Sequence, residues 1–173
     1  MLFRSGDLII NGVKGLNEIN TLTIQSETGS QSTTSLVGNV SIRAASYITL
    51  QNLTVVGSII VADSSHHLSF ENNIITGLTS TYIKFSGYSH HININNNDIQ
   101  NAGVVAVLFE NGVDFLHFEN NRIIGIISRA LHIFGYSTYL KINKNILKYR
   151  YLFDRSEERS VGKECRSRCS PYH

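Results

Sequence analysis

A fixed 24-residue period constrains this chain more than any other feature. The blocks beginning at Leu68, Ile92, Leu116 and Leu140 stand in strict register, and a looser copy begins at Ile48, twenty residues before the first of them. In each block the first and third positions are large and apolar: Ile48 and Leu50, Leu68 and Phe70, Ile92 and Ile94, Leu116 and Phe118, Leu140 and Ile142. The second and fourth are polar: Thr49 and Gln51, Ser69 and Glu71, Asn93 and Asn95, His117 and Glu119, Lys141 and Asn143. Alternation of this kind describes a strand with one face buried and one wet. The eighth position is apolar again (Val55, Ile75, Ile99, Ile123, Leu147), and a turn residue follows two later at Gly57, Gly77, Asn101 and Gly125.

A second apolar pair precedes each block, nine and seven residues ahead of it: Ile59 and Val61, Ile83 and Phe85, Val107 and Phe109, Leu131 and Ile133. Each repeat thus offers three short segments with inward apolar residues, separated by Gly, Ser and Asn turns. Strands this short cannot bury their own apolar faces, but stacking equivalent strands in parallel builds one continuous core. An antiparallel sandwich would not need identical columns at one spacing. Its usual hairpin signals, Asn11-Gly12 and Asn111-Gly112, fall outside any repeated position on this reading. The expected fold is all-β: a single-stranded right-handed parallel β-helix, a solenoid of about six or seven rungs. Val40–Ile42 and Leu22–Ile24 read as earlier, looser rungs, with a polar loop over 27–35 between them and a first rung starting at Leu8.

The sixth position of the block reads Leu53, Asn73, Asn97, Asn121, Asn145. Asn tolerates left-handed backbone angles in a bend. Stacked amides also bond to their equivalents one rung away. Asn73, Asn97, Asn121 and Asn145 are therefore expected to form a structural ladder, which Leu53 interrupts at its start.

Charged residues make up only 16% of the chain, and the net charge is +2. No basic block lies in the repeats, so nucleic-acid binding has no electrostatic support. No apolar run is long enough to span a bilayer, and no signal-peptide pattern is present. From Asp154 onward the composition changes. The last twenty residues hold both cysteines, the only proline and nine charged residues. Three readings compete for this tail. Cys165, Cys169 and His173 lack a fourth partner for zinc; the stretch could be an interaction segment; or it resembles a translated cloning sequence joined to an interrupted reading frame. The third reading is preferred, giving a β-helical domain over 1–153, incomplete at both ends, and an unstructured, non-native tail over 154–173. The apolar rim near Leu147 then lacks the cap that solenoids carry.

The outward positions carry the polar and charged side chains. Lys84, Leu108 and His132 form one outward column, and Ser86, Glu110 and Phe134 form another. Lys84, Glu110 and His132 are the candidate catalytic residues, set against the plain alternative of a solvated sheet. Glu71, Asn95, Glu119 and Asn143 form a polar column, with the two glutamates two rungs apart, about 9.6 Å. That is near the upper spacing for an inverting glycosidase pair and too far to share one calcium ion. His66 falls over His90 and His67 over His91, which invites zinc. Asp114-Phe115 and Thr138-Tyr139 hold the same columns later, and planar stacking explains the series without a metal. No metal site and no cofactor is expected.

The stretches 44–54, 64–73 and 88–97 resemble the repeats of the pectate-lyase-like parallel β-helix superfamily, over about residues 5–150. The resemblance implies fold more than function, because these motifs are the structural repeat. It implies an exported bacterial or phage protein that binds or degrades polysaccharide by lyase, hydrolase or epimerase chemistry, and it leaves room for calcium in a full-length parent. The alternative is a non-catalytic structural or adhesive solenoid at a cell or virion surface. Extracellular or cell-surface localisation follows from either, and oligomeric state is left open.

Overall fold

The structure, a computed structural model, describes residues 2–77 and 81–150. The expected tail, with Cys165, Cys169 and His173, lies outside the described residues, as do 151–153 at the end of the expected domain. The alternating blocks become strands His66–Glu71, Ser89–Asn95, Val113–Glu119 and Ser137–Asn143, paired in parallel with Leu68, Ile92, Leu116 and Leu140 side by side. Ser46–Gln51 and Leu22–Gln25 extend this sheet to six strands. The looser spacing upstream alters only the loops, since Ile48 still pairs with Leu68 and Leu22 with Ile48.

A second sheet of twelve strands bends around the other two faces. One face stacks Leu2–Ser5, Thr34–Val37, Thr54–Val56, Ile74–Thr76, Asp98–Gln100, the start of Arg122–Ile133, and Ile146–Tyr149. The other stacks Leu8–Asn11, Val40–Arg43, Ile59–Ala62, Thr81–Ser86, Gly103–Phe109 and the end of Arg122–Ile133. Arg122–Ile133 belongs to both faces and turns the corner near Gly125, where the pairing shifts register. All pairings among the described residues are parallel, and no helix occurs there. Five complete turns join the six strands of the first sheet. The chain is a parallel β-solenoid.

The inward positions form one core. Phe70, Phe85, Phe109 and Phe118 are fully buried, and Phe85 stacks on Phe109 with ring centroids 4.2 Å apart. Burying a side chain of this size contributes about 1.5–3 kcal/mol. Each core residue is covered by its equivalents above and below, and that cover thins at the last described rung. There Leu140, Ile142, Ile146 and Leu147 are exposed, beside a cavity of about 270 Å³ that Phe118, Leu131 and Tyr149 help to line.

Three local expectations need correction. The left-handed residue of the bend is the fifth position, not the sixth: Asn52, Asn72, Asn96, Asn120 and Lys144 have φ between 53° and 56°. With the fifth residue absorbing the bend, the sixth is free to point inward. Second, Asn111-Gly112 does sit in a repeated turn. Ser89, Val113 and Ser137 are paired, so the two residues before each of them stack as well. Gly112 has φ +87°, and a Cβ there would lie 2.0 Å from the Tyr136 carbonyl oxygen, so only glycine fits. Third, the polar loop ends at Thr33, because Thr34–Val37 is a strand between Leu2–Ser5 and Thr54–Val56.

Asn73, Asn97 and Asn121 are buried, Asn145 is half-buried, and all four bond along the axis. The backbone N–H of Leu53 donates to Asn73 Oδ1 (3.1 Å), that of Asn73 to Asn97 Oδ1 (3.0 Å), that of Asn97 to Asn121 Oδ1 (3.0 Å), and that of Asn121 to Asn145 Oδ1 (2.9 Å). Each Nδ2 donates back to a strand carbonyl one rung earlier: Asn73 to Leu50, Asn97 to Phe70, Asn121 to Ile94, Asn145 to Phe118. The same oxygens also accept from the previous amide at 3.1 Å. One side chain thus supplies acceptors and donors to a buried turn that would otherwise lack them. Replacing Asn97 by Leu removes the acceptor of the Asn73 backbone N–H. We expect urea denaturation of Asn97→Leu to show a loss of about 1–3 kcal/mol, the cost of a buried unsatisfied group. A midpoint matching wild type would contradict this role.

Candidate functional site

The side chains that carry chemistry stand on the wet faces of the rungs, and the strand register decides which of them meet. Lys84, Leu108 and His132 are paired across three strands as one column. Lys84 Nζ lies 2.8 Å from Glu110 Oε1, with side-chain exposures of 38% and 36%. Hydrogen bonding from Lys84, joined by Ser86, holds the Glu110 carboxyl below its ordinary range. His132 turns elsewhere: its ring is 3.9 Å from that of Phe134, and its Nδ1 is 3.4 Å from an Arg129 nitrogen. Two of the three candidate residues therefore form an exposed ion pair, and the third packs with a different set. Such a pair contributes no more than about 1 kcal/mol, and a carboxylate held ionised by an ammonium is a weak proton acceptor.

The polar face of the six-stranded sheet is more ordered. Asn93 Nδ2 donates to Ser69 Oγ (3.1 Å) and Glu71 Oε1 (3.0 Å), and Asn95 Oδ1 accepts from the backbone N–H of Glu119 (3.1 Å). Lys141 Nζ stands 3.1 Å from both oxygens of Glu119. Its hydrogen bond goes to Oε2, and Oε1 meets the ammonium by charge alone. Both glutamates of the column are thus engaged with neighbours on their own face.

At the leading ends of this sheet's strands lies an aromatic column. Tyr47, His67, His91, Phe115 and Tyr139 stack in order, with ring centroids 4.5, 4.3, 4.5 and 4.6 Å apart and planes within 22° of parallel. All five have left-handed backbones, φ 50° to 58°. That conformation costs a non-glycine residue about 1–2 kcal/mol, whereas an aromatic pair contributes about 0.5–1.5 kcal/mol beyond its burial. Stacking thus offsets much of the backbone strain. Face-to-face packing leaves ring edges rather than ring faces toward solvent. Tyr47 joins the series although it stands twenty residues before His67 while the later members are 24 apart.

A second column runs beside it. His66 stacks on His90 at 4.4 Å, and Asp114 follows one rung later. Asp114 accepts hydrogen bonds from the Thr138 hydroxyl (2.6 Å) and backbone N–H (2.8 Å) and from the Tyr88 hydroxyl. The Thr138 hydroxyl, then Tyr88, lowers the Asp114 pKa, and the bond to Asp114 raises that of Tyr88. The two columns touch through their ring nitrogens: His66 Nδ1 is 2.7 Å from His67 Nδ1, and His90 Nδ1 is 2.9 Å from His91 Nδ1. Burial, then the other imidazoles, lowers the pKa of His66, His67 and His90; Glu18 opposes this at His67 and Asp114 at His90. Among the described residues, His66, His67 and His90 are the group able to converge on a metal ion, with ligand atoms all within 4.8 Å of one another.

Compared with known proteins, the chain matches no family model, no curated protein and no solved structure. Its reading rests on its own geometry.

The aromatic column makes a distinctive substitution pattern. Phe115→Ala removes two ring contacts and keeps the strain, whereas Phe115→Gly removes both. We expect the glycine variant to be the more stable of the two in urea denaturation, by about 1 kcal/mol, the reverse of the usual order in a strand. An alanine variant at least as stable as the glycine variant would show that the left-handed turn is not under strain.

Proposed function

We propose that the chain is a length of right-handed, pectate-lyase-like β-helix from an exported bacterial or phage protein, and that it binds polysaccharide without cleaving it. The observation that carries this reading is the ordered polar face of the six-stranded sheet, where Ser69, Glu71, Asn93, Asn95, Glu119 and Lys141 hold one another in place. Amides and carboxylates at a fixed rung spacing of about 4.8 Å offer hydroxyl groups a repeating set of donors and acceptors. Their mutual hydrogen bonds fix them beforehand, which reduces the ordering cost of binding. Cleavage has less support. Elimination from an acidic sugar needs a free base beside a cation. Lys84 and Glu110 occupy each other, and His132 packs with Phe134 and Arg129.

The alternative, a purely structural or adhesive solenoid, shares the fold and differs in having no glycan ligand. Both readings place the protein outside the cell or at its surface, and neither requires a cofactor. The test is to incubate the full chain with pectin, alginate and chondroitin, measuring retention on the immobilised polymer and absorbance of unsaturated products together. Retention of at least one polymer, weakened by Asn93→Ala and without product absorbance, is the expected result. Product formation would overturn the non-catalytic reading. Failure to retain any of the three would favour the structural solenoid.

A further inference from the structure

We propose that His66, His67 and His90 bind a divalent transition-metal ion of the zinc class at the leading ends of two neighbouring strands, with His91 beside them, tying two rungs together. The array is two residues wide and two rungs deep. His66 and His67 open one strand, and His90 and His91 lie near the start of the equivalent strand one rung on. Three ligand atoms lie within 4.8 Å of one another. Around a tetrahedral ion with bonds of 2.0–2.1 Å, neighbouring nitrogens stand about 3.3 Å apart. The Nδ1 pair of His66 and His67, at 2.7 Å, is slightly closer than that, and ring rotation has to bring the third nitrogen, from within 4.8 Å, to the same spacing.

The chemistry of the donors selects the ion. Every ligand is an imidazole, and no carboxylate oxygen belongs to the set, which suits zinc, copper or nickel and disfavours calcium or magnesium. Imidazole ligates through a neutral nitrogen, and burial, then the neighbouring imidazoles, lowers the pKa of His66, His67 and His90. The surroundings pre-organise the site. His67 is stacked between Tyr47 and His91, and His91 between His67 and Phe115, which narrows the orientations open to both rings. His66, His67 and His90 are half-buried and His91 is exposed, so an ion reaches them from solvent and retains a position for water. A shared ion would replace the Nδ1 to Nδ1 contact within a rung by a bridge between rungs.

The site is separate from the polar face proposed to bind glycan, and either reading can fail alone. The experiment is a calorimetric titration of Zn2+ into the full chain carrying Cys165→Ser and Cys169→Ser, so that thiolates do not compete. A parallel titration follows the imidazole nitrogen resonances by NMR. One ion per chain is expected, with shifts at His66, His67 and His90 and none at His117 or His132. Affinity should fall at least about tenfold in His66→Ala, His67→Asn and His90→Ala. Asn at position 67 keeps a residue that tolerates the left-handed turn. Unchanged affinity in the His66→Ala/His90→Ala double variant, no saturation up to millimolar Zn2+, or shifts confined to the other histidines would each overturn the proposal. If a variant does not fold, the resonances of the chain with its histidines intact decide.

Discussion

A buried turn must find partners for its own backbone, and in this solenoid an asparagine amide from the next rung provides them. Asn73, Asn97, Asn121 and Asn145 each accept the backbone N–H of the sixth residue one rung earlier and return a donor to a strand carbonyl. The bend can then be tight and dry. Because it is tight, the strands on either side meet at a fixed angle. Because it is dry, the core continues up to the corner, with Leu53, Val55, Ile75, Ile99 and Ile123 buried beside it. A ladder of this kind also helps to fix register: a slip that brings the seventh residue, Ile74, Asp98 or Arg122, to the sixth position would leave the turn without its amide.

The outer surface follows from the same regularity. Once equivalent residues are stacked, any side chain repeated in the sequence becomes a column in space. On the polar face this gives amides and carboxylates bonded from rung to rung. At the leading ends of the same strands it gives rings stacked 4.3–4.6 Å apart on left-handed backbones. Chemistry on such a scaffold arises where two columns touch, as the imidazoles of His66 and His67 do. It does not arise from shared surface alone, and the separation of His132 from the Lys84–Glu110 pair illustrates the difference.

Much of the fold was legible because a solenoid writes contacts into the sequence as a period. Leu68, Ile92, Leu116 and Leu140 are 24 residues apart and are neighbours in the sheet. Features set by backbone angle were harder to read. Asn72 and Asn73 are the same residue type, so composition does not tell which absorbs the bend and which points inward. Arg122–Ile133 crosses a corner as one strand, and residue types give little sign of a turn taken without a break. The site was legible as columns and not as contacts. Spacing places His66 over His90 and Lys84 in line with His132, but rotamers decide that Lys84 reaches Glu110 while His132 turns to Phe134. Tyr47 escaped the aromatic series because the connection from Val56 to Ile59 is four residues shorter than its equivalent from Thr76 to Ile83, which shortens that rung.

The most direct test of the ladder is native-state hydrogen exchange at its own donors. The backbone amides of Leu53, Asn73, Asn97 and Asn121 should exchange as slowly as those of the core strand residues Phe70 and Ile94, opening only with global unfolding. Exchange at these turn amides orders of magnitude faster than at Phe70 and Ile94 would mean that the turns are open to water, and it would contradict a solenoid held by buried asparagines.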